Sequence, residues 1–152
     1  FLTLTKGTDR FKRIFHCSGK FDGEMMVRKN GALISMATGK AVAFAIFNLQ
    51  ARGEMFVTHN DPVYEGMIVG LTPKPGDMII NVMKGKQLTN MRTQGTDENV
   101  VLTPVRQMSI AEQLSMLNTD EALEITPKSL RLRKAILNPH DRKKNEKSAT
   151  PL

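Results

Sequence analysis

KAVAFAIFNLQARG, Lys40 to Gly53, is the stretch on which the fold class turns. Val42, Ala45, Ile46 and Leu49 recur at helical spacing on one face, and Gly53 stands where such a helix would stop. The alanines and the near-continuous apolarity predict a helix packed into the interior. On both sides of it the period changes. GALIS, Gly31 to Ser35, reads as a strand, and EMFVT, EGMIVGL and DMIINVM follow as short β-like runs. Turn chemistry separates them at Asn60-Asp61-Pro62 and at Pro73-Lys74-Pro75-Gly76. NVVLTPV, Asn99 to Val105, is a further candidate strand. Several short strands around one buried helix predict an α+β fold, mainly short β-strands forming a curled sheet or small barrel, with two or three helices in all.

Downstream, Ser109-Ile110-Ala111-Glu112 has the Ser-x-x-Glu form of a capping box ahead of Leu114 and Leu117, so a short helix begins there. EALEIT and SLRLRK alternate with period two around Thr126-Pro127 and read as bent strands, although Pro127 could also lead a first helical turn. Asn138-Pro139-His140-Asp141 places a capping residue before a proline at the first helical position, which opens a short basic helix. Upstream, RFKRIFHC, Arg10 to Cys17, alternates as a strand, and the polar link SGKFDGE marks a boundary near Gly23. Phe1 is not an initiator methionine, and FLTLTKG reads as the tail of a helix closing on Gly7; the sequence is therefore expected to be a piece of a longer protein.

Composition bounds the class. The chain has 152 residues, enough for one ordinary domain, and 40% hydrophobic content supports a core. Twenty-two Lys and Arg against fifteen Asp and Glu give a net charge of +7, which favours a polyanionic partner, nucleic acid or anionic membrane. The single cysteine, Cys17, cannot form an internal disulfide, and no apolar run approaches the roughly 18 residues needed to span a bilayer. The expected setting is cytoplasmic.

Enzymatic chemistry finds little footing. His16 and Cys17 are neighbours, and on a strand they would point to opposite faces, so they cannot form a nucleophile–base dyad. His16, His59, His140 and Cys17 show no metal-ligand spacing, so no metal site is expected. ATGKA, Ala37 to Ala41, resembles a phosphate-binding loop only superficially: Ile34 stands where the first glycine is needed, and Ala41 replaces the hydroxyl residue that would hold magnesium. Asp120, Glu121 and Glu124 read as a solvated acidic turn.

Two basic segments remain. KGKQLTNMRTQGTDE, Lys84 to Glu98, is long and polar, with Leu88 its one large aliphatic residue. Lys84, Lys86 and Arg92 can neutralise phosphates, Thr89 and Asn90 can hydrogen-bond sugar and phosphate oxygens, and Gly85 and Gly95 allow close backbone approach. It contains no aromatic residue, so backbone and shape recognition rather than base stacking is its expected mode. The alternative is a solvated hairpin whose charges do nothing; in either case the segment, lacking apolar anchors, is expected to be mobile while no partner is bound. The second segment groups Arg131, Arg133 and Lys134 with Arg142, Lys143, Lys144 and Lys147. As a strand, SLRLRK would place Arg131 and Arg133 on one face and Leu130 and Leu132 on the other; a merely solubilising tail is the competing reading. Arg28 and Lys29 are weaker candidates.

RKNGALIS, GKAVAFAIFNLQARGEMF, VYEGMIVG, LTNMRTQGTDE and DEALEITPKSLRLRK, in this order, resemble the C-terminal region of the BipA/TypA translational GTPases. The resemblance runs from Phe1 to about Arg142, and LTNMR followed by GTDE is its most specific part, since the related elongation factors G and LepA end differently. It implies that residues 1–23 are the last helix and strand of a truncated ferredoxin-like domain like that of elongation factor G. Residues 24–137 are then the family's own C-terminal domain, and 138–152 a basic helix and tail. Asp9 departs from the family's usual second glycine, and His16-Cys17-Ser18 replaces a more aromatic segment; both concern the end of the truncated domain.

The resemblance further implies a division of labour. GTP and magnesium would belong to an N-terminal domain absent here, leaving this chain without cofactor or catalysis. Its implied partners are the ribosome, large-subunit rRNA and the acceptor end of A-site tRNA, with no membrane, in translation or in large-subunit assembly under stress. Its RNA-contacting residues would be Lys84, Lys86, Thr89, Asn90, Arg92, Arg131, Arg133 and Lys134. The chain is expected to be monomeric, with edge-strand pairing possible in crystals. The alternative from another class is a protein-interaction or assembly domain whose positive charge is non-specific.

Overall fold

A computed structural model of the chain describes residues 12, 14–20, 28–85 and 101–149. Its centre is β1 (Ala32–Ser35), every residue of which is buried. β1 pairs antiparallel with β5 (Ile68–Leu71) and parallel with β6 (Met78–Ile80), and β3 (Glu54–Met55) adds to the far side of β5, giving the order β3-β5-β1-β6. A strand covered on both faces must be apolar along its length, which is why ALIS lacks the polar alternation of a surface strand.

The two faces of the sheet receive different cover. Leu33 and Val69 point to the side where α1 (Ala43–Gln50) lays down Ala45, Ile46 and Leu49. Ala32, Ile34 and Ile68 point to the other side, where Leu132 is buried and Phe56, Met108, Leu117 and Leu123 pack against them. Leu123 and Leu132 come from β7 (Glu121–Ile125) and β8 (Leu130–Lys134), an antiparallel hairpin in which they sit directly opposite each other. The core is therefore two apolar layers with the sheet between them. The smaller ribbon of β2 (Gly39–Lys40) and β4 (Pro62–Val63) closes the α1 side.

The local signals that the sequence displays are honoured with specific bonds. α1 starts without a side-chain cap from Val42; instead His59, in the turn that precedes β4, accepts a hydrogen bond from the Ala43 amide at 3.2 Å. α2 (Ile110–Ser115) carries the complete capping box, the Ser109 hydroxyl accepting from the Glu112 amide and the Glu112 carboxylate from the Ser109 amide. α3 (Pro139–Ala149) begins where Asn138 Oδ1 accepts from the His140 amide at 2.8 Å. Gly53 lies beyond the end of α1, and what fixes it is proximity: a Cβ there would collide with the Leu71 carbonyl of the neighbouring strand.

Gly66 is the hinge between sheet and hairpin. Its amide donates to Ser35 O at 3.0 Å, and its carbonyl accepts from the Lys134 amide at 2.9 Å. Its φ of +84° is in the left-handed region, and an added Cβ would lie 2.7 Å from Leu137 Cα, so no other residue fits this junction without displacing the chain.

Three expectations need correction. No sheet closes into a barrel among the described residues: the edge strands of the main sheet, β3 and β6, do not pair with each other, and its faces are covered by α1 and the hairpin instead. Val101 to Val105 form no strand. Pro104 has no N–H to give, and the Gln50 side chain takes both backbone polar groups of Thr103, donating to its carbonyl at 2.9 Å and accepting from its amide at 3.1 Å. Ile14 to Lys20 form no regular element, with Ile14, Phe15 and Cys17 exposed and no strand alongside among the described residues. The helix and strand assigned to a truncated ferredoxin-like domain fall mostly outside the described residues. None of the described helices is long and apolar enough to cross a membrane.

Candidate nucleic-acid interface

The β7–β8 hairpin sorts its charges by strand alternation. Arg131 stands opposite Glu124 and Arg133 opposite Ala122, so these four share a face, while Leu130, Leu132 and Lys134 take the other. On the arginine face, Tyr64 donates its hydroxyl to Glu124 Oε2 at 2.6 Å, and Arg131 Nη1 lies 4.0 Å from Glu124 Oε1. Burial, and next to it the hydrogen bond to Glu124, push the Tyr64 hydroxyl up to about 12. Arg133 Nη1 donates to the carbonyls of Lys134 at 3.2 Å and Ala135 at 3.4 Å, which holds the guanidinium beside its own strand end. Both arginines remain partly exposed.

Lys134 belongs elsewhere. It follows the leucines into the interior, its side chain 2% exposed, and its ammonium meets Asp77 Oδ2 at 2.5 Å, Asp120 Oδ2 at 2.6 Å and Glu121 Oε1 at 3.1 Å. An ammonium with three carboxylates around it has no hydrogen left for a phosphate. Burial works against its charge, but the bonds to Asp120 and Asp77 outweigh this and hold its pKa above the ordinary lysine value. Arg28 is engaged in the same cluster through Glu121 Oε1 at 2.7 Å and is almost fully buried. Of the acidic turn, Glu121 is buried, its side chain 1% exposed, whereas Asp120 stays 59% exposed. Glu121 and Asp120, with Asp77, form the anionic side of an ion cluster around the buried Lys134 that fastens the hairpin to the chain just ahead of β6 and to the chain entering β1.

The remaining basic candidates divide the same way. Lys84 is exposed just after the Val82–Met83 turn, whereas Lys86, Thr89, Asn90 and Arg92 lie outside the described residues. Arg142 turns back to donate to the carbonyls of Ile136 at 3.1 Å and Leu137 at 2.8 Å, fastening the first turn of α3. Lys143 and Lys144 are exposed on that helix. The signal that separates Lys134 from Arg131 and Arg133 was present in the strand period: it stands two residues beyond Leu132, and opposite Glu121 in register.

The core that builds this arrangement coincides with a recognisable unit. Residues 30–139 match the TypA/BipA C-terminal domain. The chain belongs to the TypA/BipA C-terminal domain family. A relative from Buchnera aphidicola subsp. Schizaphis graminum, named large ribosomal subunit assembly factor BipA, is 47% identical over 153 residues, covering 100% of this chain and 25% of the relative. Relatives of the same name from Salmonella typhimurium and Escherichia coli K12 are each 46% identical over 145 residues, covering 95% of this chain and 24% of the relative. The chain thus spans about a quarter of the length of these curated relatives. The BipA-type match takes in the whole sheet, both core layers, the hairpin and every member of the ion cluster but Arg28, and it ends at the first residue of α3.

Proposed function

We propose that the chain is the ribosome- and RNA-binding C-terminal module of a BipA/TypA-like translational GTPase, acting in cytoplasmic translation or in large-subunit assembly under stress. The observation that carries this reading is the family match over the folded core, together with relatives named for assembly of the large ribosomal subunit. The charge supports it: a net +7 is presented partly through Arg131, Arg133, Lys84, Lys143 and Lys144 on the outside, while Lys134 and Arg28 are consumed within. In this reading the segment Lys84 to Glu98, with Lys86, Thr89, Asn90 and Arg92, and the arginine face of the hairpin contact rRNA and the acceptor end of A-site tRNA. The chain itself performs no catalysis and binds no nucleotide cofactor, those tasks lying in another part of the protein.

Retention of ribosomal subunits by the immobilised chain, across a salt series, tests this. Large subunits should be retained and released steeply with salt, because phosphate neutralisation releases counterions. Retention indifferent to salt would favour a protein-interaction module instead. No retention of either subunit would overturn the proposal.

A further inference from the structure

A groove of about 780 Å³ runs between the β7–β8 hairpin, the segment leading into α2, and the chain just beyond β3. This volume lies in the range that takes a compact organic ligand. Phe56, Ile68 and Leu132 line it from the core side, and Phe56 is only half-buried. Two isoleucines stand at it unusually exposed: Ile110 at 48% and Ile125 at 66%. Apolar side chains left open beside a preformed groove lack the cover they have elsewhere in this fold.

The charge around the groove selects the occupant. Arg106, Lys128 and Arg131 line it, against a single carboxylate, Asp61. Asp61 is occupied within its own turn, accepting from the Thr58 amide at 2.6 Å and the Thr58 hydroxyl at 3.0 Å. Arg106 is shared with Glu54 at 3.2 Å and Glu112 at 3.6 Å, and Arg131 lies 4.0 Å from Glu124. Lys128 has no acidic partner among the described residues. It is held at the hairpin tip by a turn that is locked from within: the Ser129 amide donates to Thr126 Oγ1 at 3.0 Å, and the Thr126 amide to Ser129 O at 3.0 Å. An amphipathic peptide helix would need a row of anchoring sites at successive turns. A single aromatic with apolar flanks and a cation at the lip suits one flat base and its phosphate.

We propose that this groove takes one unpaired RNA nucleotide, its base against Phe56 between Ile110 and Ile125, and its phosphate on Lys128 at the hairpin tip. The inference rests on the RNA-binding reading above and deepens it. It adds a stacking contact, on elements other than the Lys84 to Glu98 segment, where that segment offers none.

The test uses the whole 152-residue chain and a labelled, unpaired hexauridylate carrying one 4-thiouridine. Photocrosslinks should map to residues lining the groove. Phe56→Leu keeps apolar bulk and removes the aromatic face, and should weaken binding roughly five- to a hundredfold, as for the loss of one base stack. Because Phe56 also touches the core, Ile125→Glu at the exposed lip is the second variant, and it should abolish the groove crosslink while leaving the unfolding transition in place. Lys128→Ala should lower the slope of log affinity against log salt by about 0.7. If Ile125→Glu and Lys128→Ala bind like the parent while large subunits are still retained, the groove is overturned and the module reading survives. Crosslinks confined to Lys84 to Glu98, or capture of acidic peptides in place of the oligonucleotide, also overturn it. If the parent chain retains neither oligonucleotide nor subunit, the groove and the reading beneath it fall together.

Discussion

Lys134 and Glu121 face each other across the last rung of the β7–β8 hairpin, Nζ 3.1 Å from Oε1, with 2% and 1% of their side chains exposed. Around this pair Arg28, Asp77 and Asp120 complete a cluster of two cations and three carboxylates, drawn from the chain entering β1, the start of β6 and both ends of the hairpin. Apolar packing of Leu123 and Leu132 brings the hairpin to the sheet. The ion cluster fixes how it sits there, since charges removed from water tolerate few arrangements. The position of Arg131, Arg133 and Lys128 relative to the sheet is set by that docking.

Replacing Lys134 with methionine should therefore be far more damaging than its surface neighbours suggest. Asp77 and Asp120 would lose their buried cation, and Glu121 would keep Arg28 and the Asn118 amide. A cost of about 3 kcal/mol is expected, at the lower end of what breaking a buried pair produces. Arg131→Ala, which loses only a long contact to Glu124, should cost no more than about 1 kcal/mol. Urea unfolding of the two variants makes the comparison; equal midpoints would remove the cluster from its structural role.

What was legible in the sequence follows the distance over which each signal acts. Ser109 and Glu112 are three residues apart, so their mutual capping could be read directly; the period-two hairpin and the Pro139 helix start are equally local. The inward turn of Lys134 was half legible: the strand period puts it on the side of the leucines, but Asp77, which meets it there, comes from a distant part of the chain. Glu121 was read as solvated because Arg28, far away in sequence, is what meets it in the interior, whereas Asp120 does stay more than half exposed. β2 is two residues long and exists only through its partner β4, so no periodicity announces it. Val101 to Val105 has the composition of a strand, but Gln50, far away in sequence, claims the backbone of Thr103. Of the candidate interface, the arginine face was visible in the alternation, whereas the groove needed the hairpin, Phe56 and the α2 approach brought together.

The cluster also gives stability a defined pH dependence. Burial opposes the charge of Asp77, yet the Ala32 amide at 2.7 Å and the Lys134 ammonium outweigh it and hold the carboxyl below its ordinary 3.8. A depressed carboxyl contributes stability that is complete above the ordinary value and is lost as pH falls through the folded one. Lys134, held above 10.5, contributes stability that is complete below that value and is lost as pH rises through its folded pKa. The urea midpoint of the parent should thus fall away below about pH 4, and Asp77→Asn should start lower and show a shallower acid limb. Parallel acid limbs in the two proteins would show that Asp77 does not carry this dependence.

Tyr64 is the chain's one tyrosine, so its ionisation can be followed by phenolate absorbance without interference. Read in the first moments after a pH jump, before alkaline unfolding, its midpoint should lie near 12 rather than at 10.0. Glu124→Gln removes the negative acceptor and should move the midpoint down, toward the ordinary value. It should also release Arg131 from its nearest carboxylate, and so strengthen phosphate binding on that face. An unchanged midpoint in the variant would mean that burial alone, and not Glu124, restrains the hydroxyl.

The segment Lys84 to Glu98 supplies the sharpest test of the RNA contact. If Lys84, Lys86 and Arg92 each meet a phosphate, replacing all three with alanine should weaken binding to large subunits and leave the fold intact, since changes away from the core usually alter stability by less than about 0.5 kcal/mol. The loss should be electrostatic in kind. Each missing phosphate contact lowers the slope of log affinity against log salt by roughly 0.7 to 0.9, so the triple variant should differ from the parent by about two to three. Lys143→Ala with Lys144→Ala, on the exposed side of α3, provides a control of like chemistry and should cost less if that helix is a solvated appendage. Should the triple variant keep both the affinity and the salt slope of the parent, the segment is not the contacting element. The arginine face of the hairpin then becomes the leading candidate, because Arg131 and Arg133 are the partly exposed cations that the ion cluster and Gly66 hold in a fixed relation to the sheet.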